Sequence, residues 1–211
     1  MKKTERATEI HARLSRRYPE PEPALHWSDP WQLLVATALS AQCTDERVNK
    51  VTPIFFEKWP TIADAAGADV MEVEEVVRST GFFRNKARNI KAAATRIMEV
   101  YSGEVPRSMA ELITLGGVAR KTASIVLANA FGINEGIAVD THVKRLAFRM
   151  GLTAKTDPVQ IEKDLMPLYP REQWGDINHY LVFFGREVCP ARKPKCDICE
   201  LNDICPKKGV K

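Results

Sequence analysis

The sequence predicts an all-α fold, and three observations carry that expectation. Apolar residues recur with a helical period, cap and proline signals stand where helices would start, and no segment sustains the alternation of a strand. The chain has 211 residues, 45% hydrophobic and 27% charged. That is ordinary globular composition, long enough for one large domain or two small ones. It excludes disorder, collagen and coiled coil. Roughly ten short helices are expected.

Taken in order, the N-terminal segment MKKTERATEIHARLSRRY is basic but has no apolar stretch, so no signal peptide is expected. The run Pro19-Glu-Pro21-Glu-Pro23 is a candidate break. Ser28-Asp29-Pro30 supplies a cap and a first-turn proline for the helix that follows. That helix holds the most apolar stretch, Leu33 to Ala41, which falls well short of the ~18–20 residues that span a bilayer. A cytoplasmic protein with no membrane partner is expected. Thr44 to Trp59 has helical spacing through Val48, Val51, Ile54 and Phe55, and Pro53 inside it is expected to kink or break the helix. Ser108 to Glu111 fits a capping box, and Asp157-Pro158-Val159-Gln160 opens a further helix. Gly132 to Gly136 is the second candidate break.

Charge is mildly basic overall, 31 Lys and Arg against 27 Asp and Glu for a formal +4, and its distribution is uneven. Arg84, Lys86, Arg88, Lys91 and Arg96 fall in a stretch without acids, whereas Thr61 to Glu75 carries acids and no bases. Such asymmetry fits either a polyanion-binding face or two solvated helix faces.

Four of the five cysteines lie near the end of the chain. Cys189, Cys196, Cys199 and Cys205 give C-x6-C-x2-C-x5-C, a metal-site spacing in a compartment that keeps thiols reduced. Zinc ribbons use two C-x2-C knuckles, and only one is present, so four clustered thiolates favour a [4Fe–4S] cluster over zinc. Cys43 stands apart in an apolar segment and reads as a small core residue. Arg186, Arg192, Lys193 and Lys195 accompany the cysteines. They can bind phosphates or balance the thiolates.

The segment Leu115-Gly116-Gly117-Val118-Ala119-Arg120-Lys121-Thr122-Ala123 places a glycine turn between two helical stretches. Unpaired N–H groups at the second helix start can bind phosphate, although an ordinary helix–helix turn explains the glycines equally well. No strand precedes the turn, so neither a dinucleotide fingerprint nor a Walker A loop is supported. Lys121 lies at a helix start, against the dipole and beside Arg120, which disfavours its charged form and suits a nucleophilic amine. Further on, Ile137-Ala138-Val139-Asp140-Thr141-His142-Val143 offers an acid that is either an N-cap or the carboxylate partner of a nucleophile.

Four segments together resemble the endonuclease III family of bifunctional DNA glycosylases, in the helix-hairpin-helix Gly/Pro-Asp superfamily. They are LSAQCTDERVNK (Leu39 to Lys50), LGGVARKTA (Leu115 to Ala123), AVDTHVKR (Ala138 to Arg145) and the terminal cysteines, in the family's order and across nearly the whole chain. The resemblance implies two helical lobes with a DNA-binding cleft: a six-helix barrel domain over 22–132 carrying the hairpin, and a cluster domain of 1–21 plus 133–211. It also implies a [4Fe–4S] cofactor on the four cysteines, structural or charge-sensing, because the chemistry needs no electron.

The implied activity is excision of oxidised pyrimidines from duplex DNA, followed by strand cleavage at the abasic site. The protein is expected to act as a monomer and to associate with the nucleoid when on DNA. Lys121 is implied as Schiff-base nucleophile and Asp140 as its carboxylate partner. Gln42 would fill the space left by the extruded base, and Phe82 would sit where the family commonly carries a leucine wedge. Gly117, Ala119, Arg120, His142 and Lys195 are implied DNA contacts. The hairpin departs from the family's Leu-Pro-Gly-Val-Gly: Gly116 is expected to loosen the turn, and Ala119 adds a Cβ where backbone meets phosphate. The adenine-mismatch glycosylases of the superfamily lack the hairpin lysine and carry a further C-terminal domain, whereas this sequence has Lys121 and stops six residues past Cys205. The readings outside the family are a non-catalytic metal-stapled DNA-binding module and an electron carrier.

Overall fold

Among the described residues the secondary structure is eleven α-helices and four short 3-10 turns, with no strand. The computed structural model describes residues 1–19 and 24–210, so most of the Pro/Glu break at 19–23 lies outside them. The chain divides into two units, Met1–Glu22 with Asn134–Lys211, and Pro23–Ile133. Each has its own apolar core. Helix α1 (Lys3–Arg17) belongs to the first unit and α2–α8 to the second.

In the continuous unit, α2 (Pro30–Leu39) starts as the sequence predicts, with Pro30 in its first turn and the Asp29 side chain accepting the Gln32 N–H. Trp31, Leu33, Leu34, Val35, Ala36 and Leu39 are all buried, so α2 is apolar all round and serves as the central helix. The helix α3 (Asp45–Lys58) runs through Pro53 unbroken, contrary to expectation. Pro53 lies on the exposed face, where water can satisfy the carbonyl it orphans, while Val48, Val51, Thr52 and Phe55 are buried on the other side. Packing of that face outweighs the lost hydrogen bond. Cys43 is half-buried at the edge of this core rather than inside it.

The helices α4 (Ile62–Gly67) and α5 (Val70–Val77) and a 3-10 turn (Arg78–Thr80) lead to α6 (Phe83–Val100), which packs on both. The stripe Lys86, Ala87, Ile90, Ala93, Ala94, Ile97 is the buried face of α6. This resolves the uneven charge: the acidic segment forms α4 and α5, the basic one forms α6, and they lie side by side. Lys91 donates to the Ala68 carbonyl, Arg96 to Thr114 Oγ1 at 2.9 Å, and Arg84 comes within 3.9 Å of Glu74. Lys86 and Lys91 are thus engaged within the unit, whereas Arg84, Arg88 and Arg96 are exposed. A short α7 (Met109–Leu112), with the Ser108 hydroxyl accepting the Glu111 N–H at 3.3 Å and donating to the Glu111 carboxylate at 2.7 Å in place of the full capping box, and α8 (Arg120–Phe131) complete it. The Gly132 break is a left-handed C-cap at φ +66°.

In the discontinuous unit, α9 (Thr141–Arg149) buries Val143, Leu146 and Ala147, and α10 (Pro158–Leu165) starts on the expected Asp157 cap. The last helix is α11 (Trp174–Glu187), and a 3-10 turn (Cys196–Ile198) sits in the cysteine loop. The N-terminal helix joins this unit through Ala7, Ile10 and Leu14, which share one core with α9–α11. Its polar side reaches the C-terminal loop: Arg13 donates to the Glu200 carbonyl at 2.5 Å and pairs with Asp203 through both Nη atoms, and Arg17 pairs with Glu187 and Glu200.

Candidate active site and metal centre

The glycine turn is closed rather than loose. The Val118 N–H reaches the Leu115 carbonyl at 3.1 Å, and Gly117 takes φ +74°, a conformation that side chains rarely adopt. At Gly116 a Cβ would stand 2.9 Å from the Asn89 carbonyl oxygen and 3.0 Å from Ala92 Cβ. The turn therefore packs directly on α6, which glycine permits. Ala119 is the N-cap of α8 at φ −84°, with no side-chain cap, so alanine sits there without strain and leaves the first-turn N–H groups without a cap from Ala119. Lys121 follows in that first turn, exposed, as does Arg120.

In the same unit the two expected DNA-probing residues occupy unusual backbone. Gln42 is exposed at φ +54° in the turn after α2. Phe82 is 63% exposed at φ +48°, as the N-cap of α6. Its neighbour Phe83 packs partly against the core, with the Arg78 and Arg84 guanidinium groups over its ring. The adjacent aromatics thus divide, one to the core and one to solvent.

In the other unit Asp140 caps α9, its Oδ1 accepting the Val143 N–H at 2.8 Å. The capping alternative is realised, and it leaves Oδ2 unengaged by that bond. His142 is half-buried and turned inward, its Nδ1 3.1 Å from Arg145 Nη2. Burial pushes its pKa down, Asp140 opposes, and Arg145 and Arg186 lower it further. Its Nδ1 is engaged within the unit by Arg145.

Cys189, Cys196, Cys199 and Cys205 line one cavity, together with Arg149, Phe184 and Leu201. Four cysteines around one cavity match the ligand set of an iron–sulfur cluster. Burial pushes Cys199 up to about 11 and raises Cys205, so the cavity disfavours bare thiolates and calls for a cationic group among them. The residues fit a cluster. Lys195, Arg192 and Lys193 stand exposed on the same loop, Lys193 at φ +51°.

Two arginines that sequence reasoning passed over organise this loop. Arg149 is buried and donates to Cys189 Sγ at 3.2 Å, to the Pro190 carbonyl at 2.7 Å and to the Ala191 carbonyl at 2.8 Å. Arg145, one turn earlier, donates to the Gly185 and Cys189 carbonyls at 2.9 and 3.2 Å. The missed signal was that Arg149 falls on the buried stripe of α9 beside Leu146 and Met150. Lys86, read from the sequence as part of an exposed basic stretch, lies instead on the buried stripe of α6.

Residues 35–171 match the HhH-GPD superfamily of base excision DNA repair proteins, and residues 187–205 match the iron–sulfur binding domain of endonuclease III. The endonuclease III of Synechocystis sp. is 55% identical over 204 residues, covering 97% of this chain and 93% of that protein. That of Bacillus subtilis is 45% identical, covering 92% and 88%. A solved structure of a trapped endonuclease III–DNA covalent intermediate is 40% identical, with a TM-score of 0.93 over 98% of this chain and 97% of that one. Sequence, cysteine loop and backbone agree: the chain belongs to the HhH-GPD superfamily and, within it, to the endonuclease III family of iron–sulfur DNA glycosylases with abasic-site lyase activity.

Proposed function

We propose that this chain excises oxidised pyrimidines from duplex DNA and that Lys121 is the nucleophile for both excision and strand cleavage. The observation that carries the reading is the position of Lys121: an exposed amine in the first turn of α8, directly after the glycine turn. The covalent DNA intermediate trapped in the similar endonuclease III structure supports the same chemistry.

The damaged nucleotide leaves the stack, and damage lowers the cost of unpairing it. The Lys121 amine attacks the sugar carbon that bears the base. The bond to the base breaks, the base departs with its electron pair and takes a proton, and the bond from the same carbon to the ring oxygen then opens, that oxygen taking a proton as Nζ loses one, so that the opened sugar remains joined to Nζ as a Schiff base. Loss of a proton from the adjacent sugar carbon then expels the 3′ phosphate, and water releases the lysine. Asp140, its carboxylate fixed by the Val143 N–H, offers Oδ2 to the positive charge that develops on the sugar. Phe82 enters the stack and Gln42 takes up the space of the extruded base. The Gly117–Ala119 backbone, Arg120 and Lys195 hold phosphates. Cys189, Cys196, Cys199 and Cys205 hold the cluster, which when bound supplies the cation that ties these thiolates together and orders the loop. DNA with one oxidised pyrimidine or one abasic site is the substrate, and a monomer is the acting form.

Borohydride trapping on such duplexes tests the reading. Wild type forms a covalent adduct, whereas Lys121→Gln forms none and releases no base while still binding DNA. An adduct at wild-type rate in the variant would remove Lys121 from this role.

A further inference from the structure

Lys86 is a buried lysine that the excision chemistry does not use. It is 6% exposed, and its Nζ donates to two backbone carbonyls, Leu39 and Thr80, both at 2.8 Å. A buried charge persists only where its partners offset desolvation. Here they do so specifically. Leu39 is the last residue of α2, so its carbonyl lies at the negative end of that helix dipole. Thr80 ends the 3-10 turn before α6. Lys86 itself stands near the start of α6, where that helix's own dipole opposes a cation, so the two carbonyls from outside α6 must supply the attraction.

Those carbonyls flank the two turns that bear Gln42 and Phe82. Gln42 follows Leu39 by three residues and Phe82 follows Thr80 by two, and both turn residues are non-glycine at positive φ, +54° and +48°. Such conformations persist only where the surroundings hold them. Inside the first turn the Cys43 N–H reaches the Ser40 carbonyl at 3.1 Å, and in the second the Gly81 N–H meets the Arg78 carbonyl at 3.4 Å. Burial lowers the Lys86 pKa, and Cys43, in the first turn, opposes this.

We propose that Lys86 is a positioning residue whose ammonium couples the Ser40–Cys43 turn to the Thr80–Phe82 turn, so that the residue filling the vacated base position and the residue entering the stack are set as one unit. The role in DNA probing rests on the reading of Gln42 and Phe82 given above, whereas the coupling of the turns does not.

The test uses the full-length, iron-loaded protein. Lys86→Met keeps the apolar stem and leaves both carbonyls unpaired, and Lys86→Gln keeps an N–H donor should the methionine variant fail to fold. Amide hydrogen exchange is expected to accelerate at least ten-fold in both turns, over residues 40–43 and 80–83, and less than two-fold across α8. Acceleration in one turn alone, in neither, or throughout the unit would overturn the coupling. A second readout addresses its use. Cleavage at an abasic site in duplex DNA should fall at least ten-fold, and in single-stranded DNA less than two-fold. Adding Phe82→Ala to the variant should cost no more than two-fold beyond Phe82→Ala alone, because both changes remove the same set geometry. Should the exchange result hold while Phe82→Ala alone leaves duplex cleavage at wild-type rate, the coupling stands and the wedge reading of Phe82 falls. Multiplicative losses in the double variant would overturn the joint setting of the two residues.

Discussion

At the scale of single residues, exposure and backbone angle separate side chains that look alike in the sequence. Phe82 and Phe83 are adjacent and chemically identical, yet one is 63% exposed and the other lies against the core. An exposed aromatic at a strained position contributes little to folding and is available to a base, with stacking worth ~1–3 kcal/mol. Phe82→Ala is therefore expected to lower turnover on duplex substrate by roughly ten-fold or more, to affect single-stranded abasic cleavage less, and to leave the melting temperature nearly unchanged. A clear drop in melting temperature with equal loss on both substrates would make Phe82 a core residue.

His142 offers a second residue-level outcome. Its pKa is lowered by burial, and of its facing groups Asp140 opposes the shift while Arg145 and Arg186 add to it. A group held below its unfolded pKa favours the fold above that value, about 6.5, and the contribution is lost as pH falls through the folded pKa. Wild type should lose melting temperature between pH 7.5 and 5 more steeply than His142→Gln, which keeps a neutral acceptor for Arg145. Parallel curves for the two proteins would show that the imidazole charge is not resisted.

At the scale of elements, local signals and packing divide the work. Three helix starts were readable from a capping side chain: Asp29, Ser108 and Asp157 each accept the N–H that their spacing predicts, whereas Thr61 and Asp69 cap α4 and α5 without having been picked out. The effect of Pro53 was not, because its cost depends on which face of α3 water reaches. The hairpin was legible as a glycine turn before a helix, but its tightness depends on α6. At Gly117 a Cβ would stand 2.7 Å from Asn89 Nδ2 and 2.9 Å from Asn89 Cβ, on backbone at φ +74°. Gly117→Ala should therefore cost about 1–2 kcal/mol and lower the melting temperature by roughly 2–8 °C. Thermal melting checks this, and a variant as stable as wild type would mean that the turn can reopen without loss.

At the scale of the whole molecule, the segment after α11 has little core of its own, with Val188 and Leu201 as its buried apolar side chains. Its order comes from the cluster ligands, from Arg149 and from Arg13 on the first helix. Metal binding there is folding free energy. Cys196→Ser should yield colourless, poorly soluble protein. Soluble, iron-free protein with full glycosylase activity would show the loop to be dispensable.

Much of this was legible along the chain because it is local. Cysteine spacing, helical period and caps depend on residues within a few positions of each other, and the order of the four motifs points to the family before any coordinate is known. Three-dimensional packing decided the rest. That Lys86 is buried between two carbonyls, that Arg149 reaches Cys189, and that the acidic and basic segments lie on neighbouring helices are contacts between positions 6 to 47 residues apart. A buried charge is favourable only where folding brings its partners to it, and the Leu39 carbonyl that holds Lys86 lies 47 positions away along the chain.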